Sequence, residues 1–218
     1  MNPEKFIILF EDNHLLVLCK PPGLLVQGDR TGDETLLNLA KQYIKEKYAK
    51  PGDIFLGLVH RLDRPASGVI VFARTSKAAA RLMRQFQQKQ TRKIYHCIVS
   101  GEVPENGSWQ DHIERRDATS YITDGKTNVE LNFHRIRSKN NLSLVVVELI
   151  TGKHHQIRVQ FAQRGFPIVG DFRYGSDLQF PNRAIALHAY ELSIVHPTLK
   201  KILTFRCKPE SYWADYVS

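Results

Sequence analysis

Strand-length runs of aliphatic and β-branched residues dominate this sequence, and they do not alternate with helices. "LLVLCK", "GVIVFAR", "KIYHCIVSGEV", "LSLVVVELI" and "ALHAYELSIV" all have strand length and composition. A doubly wound parallel fold needs regular strand–helix alternation, because each parallel pair requires a crossover. Clustered strands instead predict an α+β fold: a mixed, mostly antiparallel central sheet flanked by helices and loops. With 218 residues the chain can bury a proper core, and a single domain over residues 1–218 is expected.

Local signals fill in the pattern. Two short strands flank a turn at Glu11–His14, and Pro21-Pro22-Gly23 ends the second. Asp33 is placed to cap a helix in which Leu36, Leu39, Ala40 and Tyr43 recur at helical spacing. Ser76 is placed to cap a second, with Ala79, Leu82, Met83 and Phe86 on its inner face. From Glu102 to Lys126 the chain is polar and reads as loops or short edge strands. A strand pair follows, turning at Lys139-Asn140-Asn141. In "TGKHHQIRVQFAQRG", Thr151 is the expected cap, Ile157 and Phe161 face the core, and Gly165 stops the helix. A last hairpin turns at His196–Lys200.

Net charge is +9, which favours a polyanionic partner, most often nucleic acid. No apolar run approaches the ~20 residues of a membrane span. The N-terminal "MNPEKFIILFEDNH" lacks the basic start and long apolar core of a secretion signal, so a cytoplasmic location is expected. Cys19, Cys97 and Cys207 are odd in number and far apart. They read as buried core thiols rather than as a disulfide framework or a zinc site.

Common catalytic motifs are missing. There is no phosphate-binding P-loop, dinucleotide-binding glycine pattern or G-x-S-x-G elbow. His154 and His155 are adjacent, and on a helix they would point about 100° apart, a poor metal pair. What stands out is "LVHRLDRPASGVIVFART", where Asp63 sits between Arg61 and Arg64 on a turn into a strand. Neighbouring cations keep an aspartate ionised. Ser67-Gly68 lets the backbone turn tightly. A carboxylate fixed at a strand mouth can act as nucleophile, base or electrostatic stabiliser, and it can also be half of an ordinary ion pair.

"HRLDRPASG" closely resembles the signature of the RluA-type family of RNA pseudouridine synthases, H-R-L-D-x-x-T-S-G. Other blocks resemble the family in its order: "DNHLLVLCKPPGLLV", "RKIYHCIVSG", "LITGKHHQIRVQFAQRGFPIVGD", "RYG", "ALHAYEL" and "VHP". The resemblance runs from about Phe6 to Cys207. It departs at Ala66, which replaces the usual threonine but keeps the turn small, and in "GKTNVELNF", where an Ala-x-Thr pattern is customary. The small N-terminal RNA-binding domain of many relatives is not expected here.

The resemblance implies a pseudouridine synthase catalytic fold with an active-site cleft, converting selected uridines of tRNA or ribosomal RNA to pseudouridine with no metal and no cofactor. It makes Asp63 the essential aspartate, acting as nucleophile or as base. It makes Tyr95 the active-site tyrosine and Arg158 the arginine that pairs with the aspartate. Arg61 would enter the RNA stack where the base left, since a planar guanidinium stacks well. Lys93 leaves the same strand face as Tyr95. Ile157 would wall the uracil pocket, with His60, Gln156 and His188 in support. Arg74, Arg81, Arg84, Lys89, Arg92 and Lys93 would position phosphates, and for the helix arginines Arg81 and Arg84 a solvated face is the other reading. A monomer is the default. A non-catalytic RNA-binding or ribosome-assembly protein on the same fold is the alternative, and a hydrolase using Asp63 with a histidine is a third.

Overall fold

The computed structural model describes residues 6–29 and 31–217. Most of the N-terminal stretch inspected for a secretion signal falls within them, but its first five residues lie outside, as do Arg30 and Ser218. In chain order the main elements are β1 (Ile7–Glu11), β2 (Leu15–Lys20), α1 (Leu36–Lys47), β3 (Gly57–Leu58), β4 (Ser67–Ala73), α2 (Ser76–Gln87) and β5 (Arg92–Ser100). Then come β6 (Asn106–Arg116), β7 (Thr119–Thr123), β8 (Val129–Lys139), β9 (Leu142–Leu149), α3 (Gln156–Gln163), β10 (Leu187–Val195), β11 (Ile202–Arg206) and α4 (Ala214–Val217). They divide into two compact units, residues 1–91 with 191–207, and residues 92–190 with 208–218.

In the first unit β2 pairs antiparallel with both β1 and β4, and β3 adds to β4. Every residue of β2 and of β4 is buried, as continuous apolar runs in central strands must be. Leu15, Val17, Val69, Val71, Leu82, Leu192 and Ile194 form one apolar cluster that carries α2. The turns at the two hairpin ends are tied together. Asp12 Oδ1 accepts from the backbone N–H groups of His14 and Leu15. His196 Nδ1 accepts from the N–H groups of Thr198 and Leu199, so its Nε2 carries the hydrogen and donates to Asp12 Oδ2 at 2.8 Å.

Several details differ from expectation. Thr35, not Asp33, caps α1, its hydroxyl accepting from Asn38 N; Asp33 pairs with Arg64 instead. Thr75, not Ser76, caps α2. The buried face of α2 is Ala78, Leu82 and Gln85, which leaves Met83 exposed. Gln85 is there because its amide bonds the backbone of Val195 in both directions. Cys19 and Cys207 are not thiols: they form a disulfide with Cα atoms 6.1 Å apart, while Cys97 is free and buried. Their separation of 188 residues hid the pairing, since only the folded sheet brings β2 beside the residue that follows β11.

The second unit is built on antiparallel strands in the order β5-β9-β8-β6-β7. Asn140 and Asn141 both take positive φ, the conformation of a tight hairpin turn for which asparagine is suited. The polar stretch, expected as loops or short edge strands, holds the short edge strand β7 and also β6, which at 11 residues is longer than expected. Its side chains are mostly exposed, so no alternating apolar signal marks it, but Trp109 packs on Phe133 and Phe161 and anchors the strand.

Candidate active site

Asp63 lies on the loop between β3 and β4 and is half-buried. Its backbone carbonyl accepts from Ala66 N at 3.1 Å, closing a tight turn. Ala66 is buried at this turn. Gly68 takes φ +115°, which a side chain would strain, and so lets the turn feed straight into β4. His60 fixes the other end: its Nε2 accepts from Val71 N at 3.0 Å and its ring stacks on Phe86 at 4.7 Å. Accepting at Nε2 makes His60 neutral with the hydrogen on Nδ1.

A buried lysine, given no role in the sequence reading, braces this loop. Lys20 is fully buried, and its ammonium donates to the carbonyls of Pro21, Leu24 and Arg64 at 2.9, 2.9 and 3.1 Å. An ammonium has three hydrogens and here each has an oxygen. Gly23 N donates to the same Arg64 carbonyl, and Arg64 Nε donates back to Gly23 O. The residue after Asp63 is therefore pinned to the Pro21–Leu24 turn at two points. Arg64 spends its guanidinium on Gly23 and Asp33, while Arg61 is exposed.

In the second unit Lys93 and Tyr95 are half-buried on β5, and Lys93 Nζ donates to Thr151 O at 3.2 Å. Thr151 is not the cap of α3. Its hydroxyl donates to Gln156 Oε1 and accepts from Glu130 N. The helix starts later, at Gln156, behind His155 in the left-handed region at φ +53°. His154 and His155 thus lie outside the helix and stack on each other at 3.7 Å. The Gln156 amide locks the entry by bonding Thr151, the Lys153 N–H and Glu130 O.

Ile157 and Arg158 follow in the first turn of α3 and both are buried. Arg158 is no solvated helix charge. Its Nε and Nη2 donate to Asp171 Oδ2 and Oδ1 at 2.6 and 2.8 Å. Its Cζ also lies 5.0 Å from the Tyr174 ring centre, in cation–π range. The Tyr174 hydroxyl accepts from Ser120 N and meets His155 Nδ1 at 2.8 Å. Burial, the largest influence, raises the pKa of Tyr174. Asp171 and Tyr174 lie in blocks that the resemblance covers, yet nothing in their spacing marks them as partners of Arg158.

The arginines expected on phosphates divide. The Arg74 side chain is only 8% exposed and is bonded to Glu11 and to Asp12 O, a structural tie that corrects the expectation. Arg81 is exposed but donates to Pro197 O, and Arg92 reaches Glu148 at 3.2 Å. Arg84 and Lys89 are exposed. No helix among the described residues is long and apolar enough to cross a membrane.

Residues 14–163 match the family model described as RNA pseudouridylate synthase. Among curated proteins, the chain is 36% identical to an uncharacterized RNA pseudouridine synthase, YhcT, of Bacillus subtilis, over 90% of this chain and 66% of that protein. It is 34% identical to ribosomal large subunit pseudouridine synthase D of Nitrosomonas europaea, over 90% and 60%. It is 33% identical to the dual-specificity RNA pseudouridine synthase RluA of Haemophilus influenzae, over 93% of each. The chain thus spans less than two thirds of the length of the first two relatives. In fold it is similar to human RNA pseudouridylate synthase domain containing 4, with a TM-score of 0.78 at 23% identity over 95% of this chain and 90% of that one. The α+β architecture expected from the strand pattern is that of this structure. With the family model covering most of the chain, the protein belongs to the RluA-type RNA pseudouridine synthase family.

Proposed function

We propose that this protein isomerises uridine to pseudouridine in a structured RNA, a tRNA or ribosomal RNA stem-loop, with Asp63 as the essential carboxylate. The observation that carries this is the Asp63 turn itself. Its sequence keeps the family's signature except at Ala66, and its backbone is held by Lys20, Gly23 and Ala66 while the aspartate side chain stays half-buried. Such preorganisation is what a reacting group needs.

The reaction breaks the bond between uracil N1 and ribose C1′, turns the ring, and joins C5 to C1′. The C5 proton leaves and N1 regains one, so the formula is unchanged. Asp63 either attacks the ribose or removes a ribose proton. Tyr95 stacks on the uracil and assists loss of the C5 proton, and Arg158 supplies the cationic partner of the reacting carboxylate. Ile157 lines the uracil pocket, Lys93 and Arg61 bind the RNA, and His60 steadies the loop. A base inside a helix is out of reach, so the nucleotide must be flipped out, and exposed Arg61 is suited to fill the vacated stack. We read the chain as one catalytic domain and a monomer; the Cys19–Cys207 disulfide counts against the expected cytoplasmic location, where thiols are kept reduced.

Tritium release tests the reaction. RNA carrying 5-tritiated uridine loses tritium to water only as C5 bonds to C1′. Asp63→Asn is expected to abolish release while RNA binding is kept. Release that persists in the variant, or none from any RNA with the wild-type protein, would contradict the proposal.

A further inference from the structure

The Arg158–Asp171 pair is distinctive in its geometry and in its anchoring. Two of the five guanidinium N–H groups meet the two oxygens of one carboxylate in a fork, with side-chain exposures of only 5% and 1%. Asp171 is itself held with unusual firmness. Its backbone N–H donates to Ile168 O, and its carbonyl accepts from the N–H groups of Tyr174 and Ser176. The preceding Gly170 takes φ +84°, and a Cβ there would lie 2.5 Å from Ala184 O and 2.7 Å from Phe180 Cβ. Only glycine fits, so the backbone entering Asp171 has one available course. The Tyr174 ring closes over the guanidinium, and its hydroxyl is fixed by Ser120.

A fork of this kind does something a surface pair does not. A lone Arg on the first turn of a short helix samples many rotamers. Bidentate pairing from an immobile carboxylate, with an aromatic ring alongside, leaves it one orientation. The edge of the guanidinium that carries Nη1 is then aimed by Asp171 and not by the long Arg158 side chain.

On the basis of the isomerase activity proposed above, we propose that Asp171 is a positioning residue for the reaction, acting through Arg158. It touches no reacting atom. It sets the direction in which Arg158 presents its charge, and Tyr174 backs the same orientation. Arg158 thereby contributes in the transition state without first being ordered, an electrostatic contribution that a wandering guanidinium would lose.

The test is a double-mutant cycle in kcat and KM on RNA that the wild-type protein modifies. Arg158→Lys comes first, since it establishes whether Arg158 matters to turnover. Asp171→Asn keeps the shape and removes the charge. Asp171→Glu keeps the charge, so the buried arginine stays paired, but shifts the fork by one methylene. Both Asp171 variants are expected to lower kcat by about 10–100-fold with KM for RNA nearly unchanged, as for a misplaced catalytic group. In the Arg158→Lys background the same changes are expected to cost little more, because Asp171 has no other route to the reaction. Thermal melts run alongside. Folded Asp171 variants with wild-type kcat would overturn the proposal. So would losses that multiply in full with Arg158→Lys, or failure of both variants to fold, which would give Asp171 a purely structural role. Arg158→Lys with full activity would overturn it too, since Asp171 acts only through Arg158; wild-type protein that modifies no RNA would instead count against the function proposed above.

Discussion

Arg158 and Asp171 join α3 to the segment after it through two N–H···O contacts of 2.6 and 2.8 Å, both side chains almost wholly out of water. Removing one partner of such a pair leaves an uncompensated buried charge, which typically costs about 3–5 kcal/mol. Arg158→Met is therefore expected to lower stability to urea by that order. The double variant Arg158→Met with Asp171→Leu is expected to recover most of the loss. Equal stability of Arg158→Met and wild type would contradict the burial of the pair.

The Asp63 turn depends on Lys20. Lys20→Met retains the aliphatic stem but withdraws the donor from the Pro21 and Leu24 carbonyls. At about 1–3 kcal/mol for each deprived buried group, a loss of roughly 3 kcal/mol is expected in urea titration. Turnover is expected to fall as well, since the Arg64 carbonyl is held by the same ammonium. Unchanged stability would show that the cage is not formed.

His96 gives the second unit a pH dependence of known sign. Its ring stacks on Tyr190 at 4.2 Å; burial, then the nearby His188 and His134, push its pKa down to about 4. In the unfolded chain it titrates near 6.5. As pH falls below about 6.5 the unfolded state takes up a proton that the folded state refuses, so stability declines until about pH 4 and then levels. His96→Phe keeps the stacking and removes the titration. The wild-type protein is expected to lose stability relative to this variant between pH 7 and pH 4.5. A constant difference would contradict the depressed pKa.

Cys19 and Cys207 close a loop of nearly the whole chain, and a cross-link of that span stabilises by up to about 5 kcal/mol on the chain-entropy account. Alkylation of protein unfolded without reductant is expected to label Cys97 alone, and reductant to lower the melting temperature. Labelling of all three cysteines would show that the disulfide does not form.

How much was legible in the sequence depended on where the signal was local. β2 and β4 are continuous apolar runs and read directly, as did the Asp63 turn with Gly68 behind it. Helix caps missed narrowly, by one residue at Thr75 and two at Thr35, because neighbouring Ser and Asp side chains have the same capping chemistry. β6 was missed because its pairing, not an alternating apolar face, makes it a strand. Positions of Arg158 and Tyr95 came from a motif. The Cys19–Cys207 bridge and the reach of Lys20 to the Arg64 carbonyl join residues far apart in the chain, and the Arg158–Asp171 fork spans 13 residues across the end of a helix, so none of them follows from a periodic or capping pattern.

The most direct test of the central claim is to map pseudouridines made by the purified protein. Bulk tRNA and ribosomal RNA from a strain lacking the gene are incubated with wild-type protein or with Asp63→Asn, and new sites are read by carbodiimide-stop sequencing. A new site that appears with the wild-type protein and is missing with Asp63→Asn is the predicted result, and it names the substrate. No new site in either pool, or a site made equally by Asp63→Asn, would contradict catalysis by Asp63 and favour an RNA-binding protein on the same fold.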